Sequence, residues 1–214
     1  MTKEKLKNTL QWLCLFLAII SLTVAITINF RPLYIFDVDY LDILAYTDLD
    51  KGQLLDNFGK LMSFLNNPFE DTLQLADFPM SASGLQHFID VKKLFLLDYG
   101  VLIITIIPAL LFVKKLVTTK SLWRLIQPFQ VGMVLPLVLG FVMAIGFDRF
   151  FTTFHEVLFG NDDWIFNPAT DPIINVLPAE FFMHYFVLFF VLLEAIFLIG
   201  IVAGRRQLKK KKLA

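Results

Sequence analysis

The chain has 214 residues, of which 57% are hydrophobic and 18% are charged, and its formal net charge at pH 7 is zero. The sequence contains four apolar runs, each close to the roughly 20 residues that cross a bilayer as a helix, which excludes an ordinary soluble domain. The single cysteine, Cys14, excludes an internal disulfide and a cysteine-ligated cluster. The chain is therefore predicted to be an integral membrane protein.

The four apolar runs are the predicted membrane spans. They cover about residues 10–30, 94–113, 128–147 and 181–203. The first run follows three lysines, as a signal peptide does, but it is longer than a signal core and lacks a small-residue cleavage site, so we predict a retained anchor. We predict a single all-α membrane domain over residues 1–214, with four transmembrane helices and an extracytoplasmic cap of short helices.

The basic residues are concentrated in three segments. Thirteen of the 19 lysines and arginines lie in residues 1–9, 114–128 and 204–214. Basic short loops stay on the cytoplasmic side, so both termini and the 114–128 loop are predicted to be cytoplasmic. The remaining segments, 31–93 and 148–180, are acidic overall and are predicted to be external. The basic tail is expected to contact anionic headgroups of membrane lipid rather than nucleic acid.

The first external segment is predicted to form the cap. Apolar residues recur at three- and four-residue spacing within residues 37–65, which indicates short amphipathic helices. Asp48 or Asp50 is placed to cap the second of these pieces, and Ser81 or Ser83 to start the helix that continues into the second span. The second external segment is rich in aromatic residues and prolines, which favour a folded loop.

All three histidines fall near the predicted outer ends of the spans. They are His87, His155 and His184. Histidine is the side chain that both accepts and donates a proton near neutral pH. His87 and Asp90 share one helical face, and so do Asp148 and His155 if the third helix continues past the membrane. These two pairs are predicted to form an acid–base site at the outer rim, whereas His184 is expected to make an interhelical hydrogen bond.

A metal site at the same rim is an alternative that these residue types leave open. Its possible zinc ligands are His87, His155, Asp90 and Glu156. No His-Glu-x-x-His motif is present, and a glutamate directly after a histidine points to another side of a helix. We therefore predict no metal and no cofactor.

Two segments around the histidines form distinctive patterns. The first, Leu85–Lys92, reads Leu-Gln-His-Phe-Ile-Asp-Val-Lys. The second is Phe154–Phe159, followed by Trp164, Asn167-Pro168 and Pro178. These segments resemble the two histidine blocks of the lipoprotein intramolecular transacylase family, and the four spans, the external cap and the chain length are also similar to that family.

The resemblance implies an enzyme that moves an acyl chain within one substrate. In a diacylglyceryl lipoprotein, the sn-2 acyl chain would move to the α-amine of the N-terminal cysteine and give the lyso-form lipoprotein. His87 and His155 would be the catalytic pair, with His87 assigned as base and His155 as acid, although the order could be reversed. Asp90 and Asp148 would orient or tune them. The side chains assigned to the oxyanion or to substrate contacts are Lys93, Arg149, Tyr99, Phe151, Phe154 and Trp164.

Two other functions remain open at this point. A non-catalytic membrane assembly or chaperone protein would bind its partner with the acidic external segment and keep the histidines for packing. A metal-dependent membrane hydrolase would use the histidines as ligands. The resemblance favours the enzyme, located in the plasma membrane of a bacterium, with its active site at the outer face and a diacylated lipoprotein as substrate.

Overall fold

The computed structural model describes residues 2–212, which form helices, turns and loops and contain no strand. The α-helices are α1 (Lys3–Ile28), α2 (Arg31–Tyr40), α3 (Lys51–Asn66), α4 (Ala82–Thr118), α5 (Ile126–Ile145), α6 (Phe147–Phe159) and α7 (Ala179–Lys212). Short 3₁₀-helices lie between them at Ile43–Tyr46, Leu122–Leu125 and Pro172–Val176.

Within the described residues, four helical segments are long and apolar enough to cross a membrane. They are Lys3–Ile28, Ala82–Thr118, Leu122–Ile145 and Ala179–Lys210. On α4, Ile103, Ile104 and Ile107 are 71%, 74% and 64% exposed, which is the pattern of side chains that face lipid. The prediction of an all-α membrane protein with four transmembrane helices is confirmed.

The chain divides into two compact units. Among the described residues, the first comprises 2–26, Asp98–Ile145 and 187–212. The second comprises Thr27–Leu97 and Gly146–Phe186. Helices α1, α4 and α7 contribute residues to both units, and the histidines all belong to the second.

Aromatic rings and glycines bring the helices of the first unit together. The ring of Phe129 on α5 lies 5.8 Å from that of Phe16 on α1 and 5.1 Å from that of Phe197 on α7. A Cβ atom at Gly200 would lie 2.3 Å from the Phe129 ring, and one at Gly132 would lie 2.9 Å from the Phe16 ring. These two positions therefore require glycine for the observed approach of α5 to α1 and α7.

The second unit has a hydrophobic core of its own. Tyr34 of α2 stacks on Phe58 of α3 with the ring centroids 3.9 Å apart, and Phe181 of α7 packs edge-on against Tyr34 at 5.3 Å. Helix α3 begins after Asp50, whose carboxylate accepts a hydrogen bond of 2.9 Å from the backbone N–H of Gln53. Of the two candidates for this cap, Asp48 and Asp50, the structure therefore has Asp50.

The third span does not continue unbroken to His155. Helix α5 ends at Ile145, and α6 begins at Phe147 as a separate helix. Between them, Gly146 has an extended backbone with φ of −165° and ψ of 90°, which interrupts the helical hydrogen bonding. The continuous third helix that the sequence analysis considered is therefore wrong at this glycine, although Asp148 and His155 still lie on one helix.

Helix α4, which carries His87, is fixed at its start by a distant loop. The Ser81 hydroxyl accepts a hydrogen bond of 3.0 Å from the N–H of Gly84, as predicted for a helix cap. The backbone N–H of Ser81 donates a 2.7 Å hydrogen bond to the carboxylate of Asp171. The loop after α6 and the first turn of α4 are thereby joined.

Candidate active site

The imidazole rings of His87 and His155 lie next to each other, with their centroids 5.8 Å apart. His87 comes from the second turn of α4 and His155 from the last turn but one of α6. Each residue is only 8% exposed. Two imidazole rings that are 68 positions apart in the sequence are thus adjacent and largely shielded from bulk solvent.

Aromatic side chains surround the His155 ring. The ring centroids of Phe151, Trp164 and Phe154 lie 4.1, 4.9 and 5.6 Å from that of His155. Sequence analysis predicted these three residues as substrate contacts, and the structure brings all of them to this histidine. They give the site an apolar wall.

Two further phenylalanines complete this wall, and sequence analysis missed both. Phe159 lies 4.7 Å from the centroid of His87 and 5.6 Å from that of His155, so it contacts both rings. Phe166 packs edge-on against His87 at 5.5 Å. The available signal for Phe159 was its position four residues after His155, which puts both on one helical face.

A backbone hydrogen bond fixes the tautomer of His155. Its Nδ1 lies 2.8 Å from the carbonyl oxygen of Phe151. A carbonyl oxygen only accepts, so Nδ1 carries the proton and Nε2 of the neutral ring carries the free lone pair. Burial lowers the pKa of His155, and the hydrogen bond to Phe151 only partly opposes this effect. Burial thus disfavours the charged form of His155, and the hydrogen bond at Nδ1 leaves Nε2 available as a base.

His87 differs from His155 in its hydrogen bonding. Its Nδ1 is buried and has no hydrogen-bond partner among the described residues. Two imidazolium charges at the observed ring separation would repel each other by about 3 kcal/mol at an effective dielectric constant of 20. The pair therefore favours states with at most one added proton, which suits transfer of a single proton.

Asp90 does not hydrogen-bond His87 within the described part of the chain. Its carboxylate accepts hydrogen bonds from Gln86 (3.0 Å), Lys93 (2.8 Å) and Asn161 (3.2 Å). Asp90 was predicted to orient His87, but among the described residues it does not do so through a direct hydrogen bond. Its contact with Asn161 instead connects α4 to the loop that follows α6.

Asn161 also contacts Trp164, which is part of the aromatic wall around His155. Its backbone carbonyl accepts a 2.8 Å hydrogen bond from Nε1 of Trp164, and its side-chain oxygen accepts one of 3.1 Å from the N–H of Asp163. Asn161 follows Gly160, which ends α6 with a φ of +61°, a backbone conformation suited to glycine. Asn161 therefore holds Trp164 against His155, and the only sequence signal for it was this glycine–asparagine turn.

The other predicted site residues lie in different positions. Asp148 and Arg149 are exposed in the first turn of α6. The carbonyl oxygen of Phe151, rather than the carboxylate of Asp148, orients Nδ1 of His155. Lys93 is 66% exposed in its side chain and forms an ion pair with Asp90. Tyr99 is half-buried in the part of α4 that belongs to the first unit.

His184 forms a separate pair, as predicted. Its Nδ1 lies 2.7 Å from Oδ1 of Asp37, so α7 and α2 are joined by an interhelical hydrogen bond. Burial raises the pKa of Asp37, and the hydrogen bond and charge of His184 oppose that shift. This contact confirms the interhelical hydrogen bond expected for His184.

Comparison with known proteins identifies the family. The sequence profile of the lipoprotein intramolecular transacylase Lit matches residues 9–182. The chain belongs to this family. It is therefore a membrane transacylase, an enzyme located in a membrane. A search of curated proteins found no match.

Solved structures of a Lit protein support the assignment. The membrane-integral lipoprotein intramolecular transacylase Lit from Bacillus cereus is 28% identical, with a TM-score of 0.90 over 99% of this chain and 100% of that chain. Two variants of the same protein also match. The one with a histidine-to-arginine substitution has 29% identity and a TM-score of 0.81 over 98% and 93% of the two chains. The one with a histidine-to-alanine substitution has 28% identity and a TM-score of 0.82 over 98% and 96%.

The alternative metal site can be compared with the positions of possible ligand side chains in the described residues. Among residues 2–212, no group of three or more His, Cys, Asp or Glu side chains is placed to hold a metal ion. Glu156, which the alternative zinc site required, is exposed. The site of this Lit-family chain thus presents two imidazoles within an aromatic wall.

Proposed function

We propose that the chain moves the sn-2 acyl chain of a diacylglyceryl lipoprotein to the α-amine of its N-terminal cysteine. The amine nitrogen attacks the ester carbonyl, a C–N bond forms and the C–O bond to glycerol breaks. The proton leaves the nitrogen and ends on the glyceryl oxygen. The product is a lyso-form lipoprotein of unchanged mass, and no cofactor or external nucleophile is consumed.

The observation that carries this proposal is the contact between the rings of His87 and His155. The reaction needs one proton removed and one delivered within a few ångströms, and two adjacent imidazoles provide both functions. It also needs a region from which water is excluded, because hydrolysis of the ester would compete. The aromatic residues around both rings meet that need.

We infer the roles from the hydrogen bonds of the two rings. His155 has its Nε2 lone pair free and acts as the base that takes the proton from the attacking amine. The proton then passes from His155 to His87, and the protonated His87 ring donates it to the glyceryl oxygen as the C–O bond breaks, so both rings return to the neutral state. This order is the reverse of the first assignment made from the sequence. Lys93 and Arg149 are our candidates for the charge that meets the oxyanion.

Positioning of the substrate is the larger contribution to the rate. Holding an ester and an amine of one molecule in reactive geometry is worth about 7–11 kcal/mol. Each proton transfer contributes about 10²–10⁴-fold, which is about 3–5 kcal/mol. The aromatic wall formed by Phe151, Phe154 and Trp164 is accordingly proposed to fold the substrate as well as to exclude water.

The test is to incubate the purified enzyme with a diacylated lipoprotein and to analyse its N-terminal peptide by tandem mass spectrometry. The expected product has the mass of the substrate, with one acyl chain located on the cysteine nitrogen by fragmentation. A peptide that keeps both chains on glycerol, with an enzyme that is folded, contradicts the proposal. Loss of one chain as free fatty acid would indicate a hydrolase instead.

Replacing Phe159 by alanine should open the site to water. Because Phe159 contacts both histidine rings, its loss is expected to slow transfer by up to about 10²-fold through misplacement of the reacting groups. Free fatty acid should appear as a second product. Val157→Ala on the same helix is the matched control, since Val157 is 77% exposed. Unchanged transfer without released fatty acid in Phe159→Ala would contradict the proposed shielding.

We also propose that the histidine pair lies at the outer face of a bacterial plasma membrane, with both termini in the cytoplasm. The distribution of basic residues supports this orientation. In a Cys14→Ser background, Asp162→Cys should react with a membrane-impermeant maleimide in intact cells, whereas Lys114→Cys should react only after lysis. Both side chains are exposed, so accessibility is matched. Labelling in the opposite pattern would reverse the orientation.

A further inference from the structure

The first unit contains a cavity lined mainly by cations. The cavity has a volume of about 680 Å³. Its charged lining residues come from the start of α1, the end of α4 and the short helix that follows it. They are Lys3, Lys5, Lys7, Lys115, Arg124 and Glu4. The lining therefore has four net positive charges, and the histidine pair and its aromatic wall contribute nothing to it.

These cations are available to a ligand. None of the five forms an ion pair with an acid among the described residues. The guanidinium of Arg124 is partly buried and donates a 2.9 Å hydrogen bond to the side-chain oxygen of Asn8, which fixes its direction. A guanidinium has five N–H donors, so four remain after this bond. Unpaired, oriented donors of this kind match the oxygens of a phosphate group.

Apolar side chains that do not line the cavity are exposed on the same helical segments. On α1, Leu6, Leu10 and Leu13 share a helical face and are 46%, 49% and 51% exposed. Next to Arg124, the indole of Trp123 is 45% exposed. Tryptophan at this position is typical of the boundary between headgroups and acyl chains. The segments that carry the cations thus also expose apolar surface of the kind that contacts acyl chains.

We propose that this cavity binds the phosphate headgroup of an anionic phospholipid. The cations hold the phosphate oxygens, Asn8 keeps Arg124 directed toward them, and the exposed indole of Trp123 lies where headgroups meet acyl chains. A free phosphate shares the headgroup chemistry but has no acyl chains to contact the exposed indole of Trp123. The site is independent of the proposed transacylase reaction, because it involves none of the residues around the histidines.

The experiment is native mass spectrometry of the full chain in a neutral detergent, titrated with dioleoyl phosphatidylglycerol. We expect one retained lipid with an affinity well above that for dioleoyl phosphatidylcholine. The variant Lys5→Gln with Lys115→Gln removes two exposed lysines whose side chains make no hydrogen bond among the described residues, so folding should be kept. Its affinity for phosphatidylglycerol should fall by about 30-fold, which corresponds to about 1 kcal/mol for each charge.

The matched control is Lys209→Gln with Lys210→Gln, which makes the same charge change on exposed residues of α7 that do not line the cavity. Retained affinity in this control supports the cavity, whereas an equal loss in both variants overturns it in favour of general surface charge. Inorganic phosphate at the same concentration should not displace the lipid. Complete displacement by phosphate would overturn the assignment to a lipid.

Discussion

Replacing His155 with glutamine is expected to lower the rate of acyl transfer by about 10²–10⁴-fold. Glutamine has nearly the size of histidine and keeps a polar end, but it cannot take up a proton at neutral pH. The loss should appear in kcat rather than in KM, because the ring acts on the reacting atoms and not on the lipid chains. The measurement is the initial rate of N-acyl peptide formation by mass spectrometry.

His87→Gln should have an effect of the same size, and combining the two should not multiply the losses. Groups that act as one unit in a proton transfer are not additive, because removal of either one already disables the step. The double variant is therefore expected to retain about the activity of the weaker single variant. If the two losses multiplied, the rings would act in separate steps and the paired mechanism would be wrong.

His184→Gln is the control for this series. His184 belongs to the same unit and hydrogen-bonds Asp37, but its pair is not part of the aromatic wall around His87 and His155. The variant should keep transfer activity. Its Tm would show separately whether loss of the hydrogen bond between α2 and α7 destabilises the fold. A loss in His184→Gln as large as that in His155→Gln, at unchanged stability, would mean that the catalytic pair has been assigned incorrectly.

The sequence predicted the parts of this fold that depend on composition over many residues. A run such as residues 181–203 has to be helical, because a bilayer leaves backbone groups no other partner. His87 and Asp90 could be placed on one face from helical spacing alone. The meeting of His87 with His155 was predicted from charge topology and from resemblance to a family, since periodicity within one helix says nothing about contacts between helices.

Most of the residues that the sequence did not reveal lie in a loop, whereas Phe159 lies on α6. Asn161 and Phe166 lie after α6, where backbone conformation is set by individual hydrogen bonds rather than by a repeating pattern. Asp148 was predicted to orient His155 because the spacing fits, but a backbone carbonyl three residues closer provides the contact. Sequence spacing identifies which side chains share a helical face. Which of several possible acceptors receives the hydrogen bond from a donor such as Nδ1 of His155 depends on distances in the folded chain.

Asp171 is another loop residue whose contacts could not be predicted from sequence spacing. Its replacement is expected to have a large effect on stability. It is 2% exposed, and its carboxylate accepts hydrogen bonds from the N–H of Ser81 (2.7 Å) and the hydroxyl of Thr170 (2.6 Å). It also packs so closely on α4 that a Cβ atom at Gly84 would lie 2.2 Å from its Oδ1. This carboxylate therefore joins the loop that carries Trp164 to the helix that carries His87, in addition to the hydrogen bond from Asn161 to Asp90.

Asp171→Ala should lower the free energy of unfolding by about 1.5–3 kcal/mol, the usual contribution of hydrogen bonds to a charged group. For a chain of this size, that corresponds to a fall in Tm of about 3–12 °C. Asp162→Ala is the matched control in the same loop, because its side chain is exposed, and it should change stability by less than about 0.5 kcal/mol. Tm values in detergent by intrinsic fluorescence would measure both.

The pH dependence of this contribution has a definite sign. Burial alone would raise the pKa of Asp171, but hydrogen bonds from Thr170, Ser81 and Asn167 outweigh burial and hold that pKa below its ordinary value. A carboxyl whose pKa is lower in the folded than in the unfolded state stabilises the fold above its unfolded pKa of about 3.9, and this stabilisation is lost as the pH falls through the folded pKa. The Tm difference between the wild-type chain and Asp171→Asn should stay constant from pH 7 to pH 5 and shrink below about pH 4. A difference that persists unchanged into stronger acid would show that packing against Gly84, rather than the charge, joins the loop to α4.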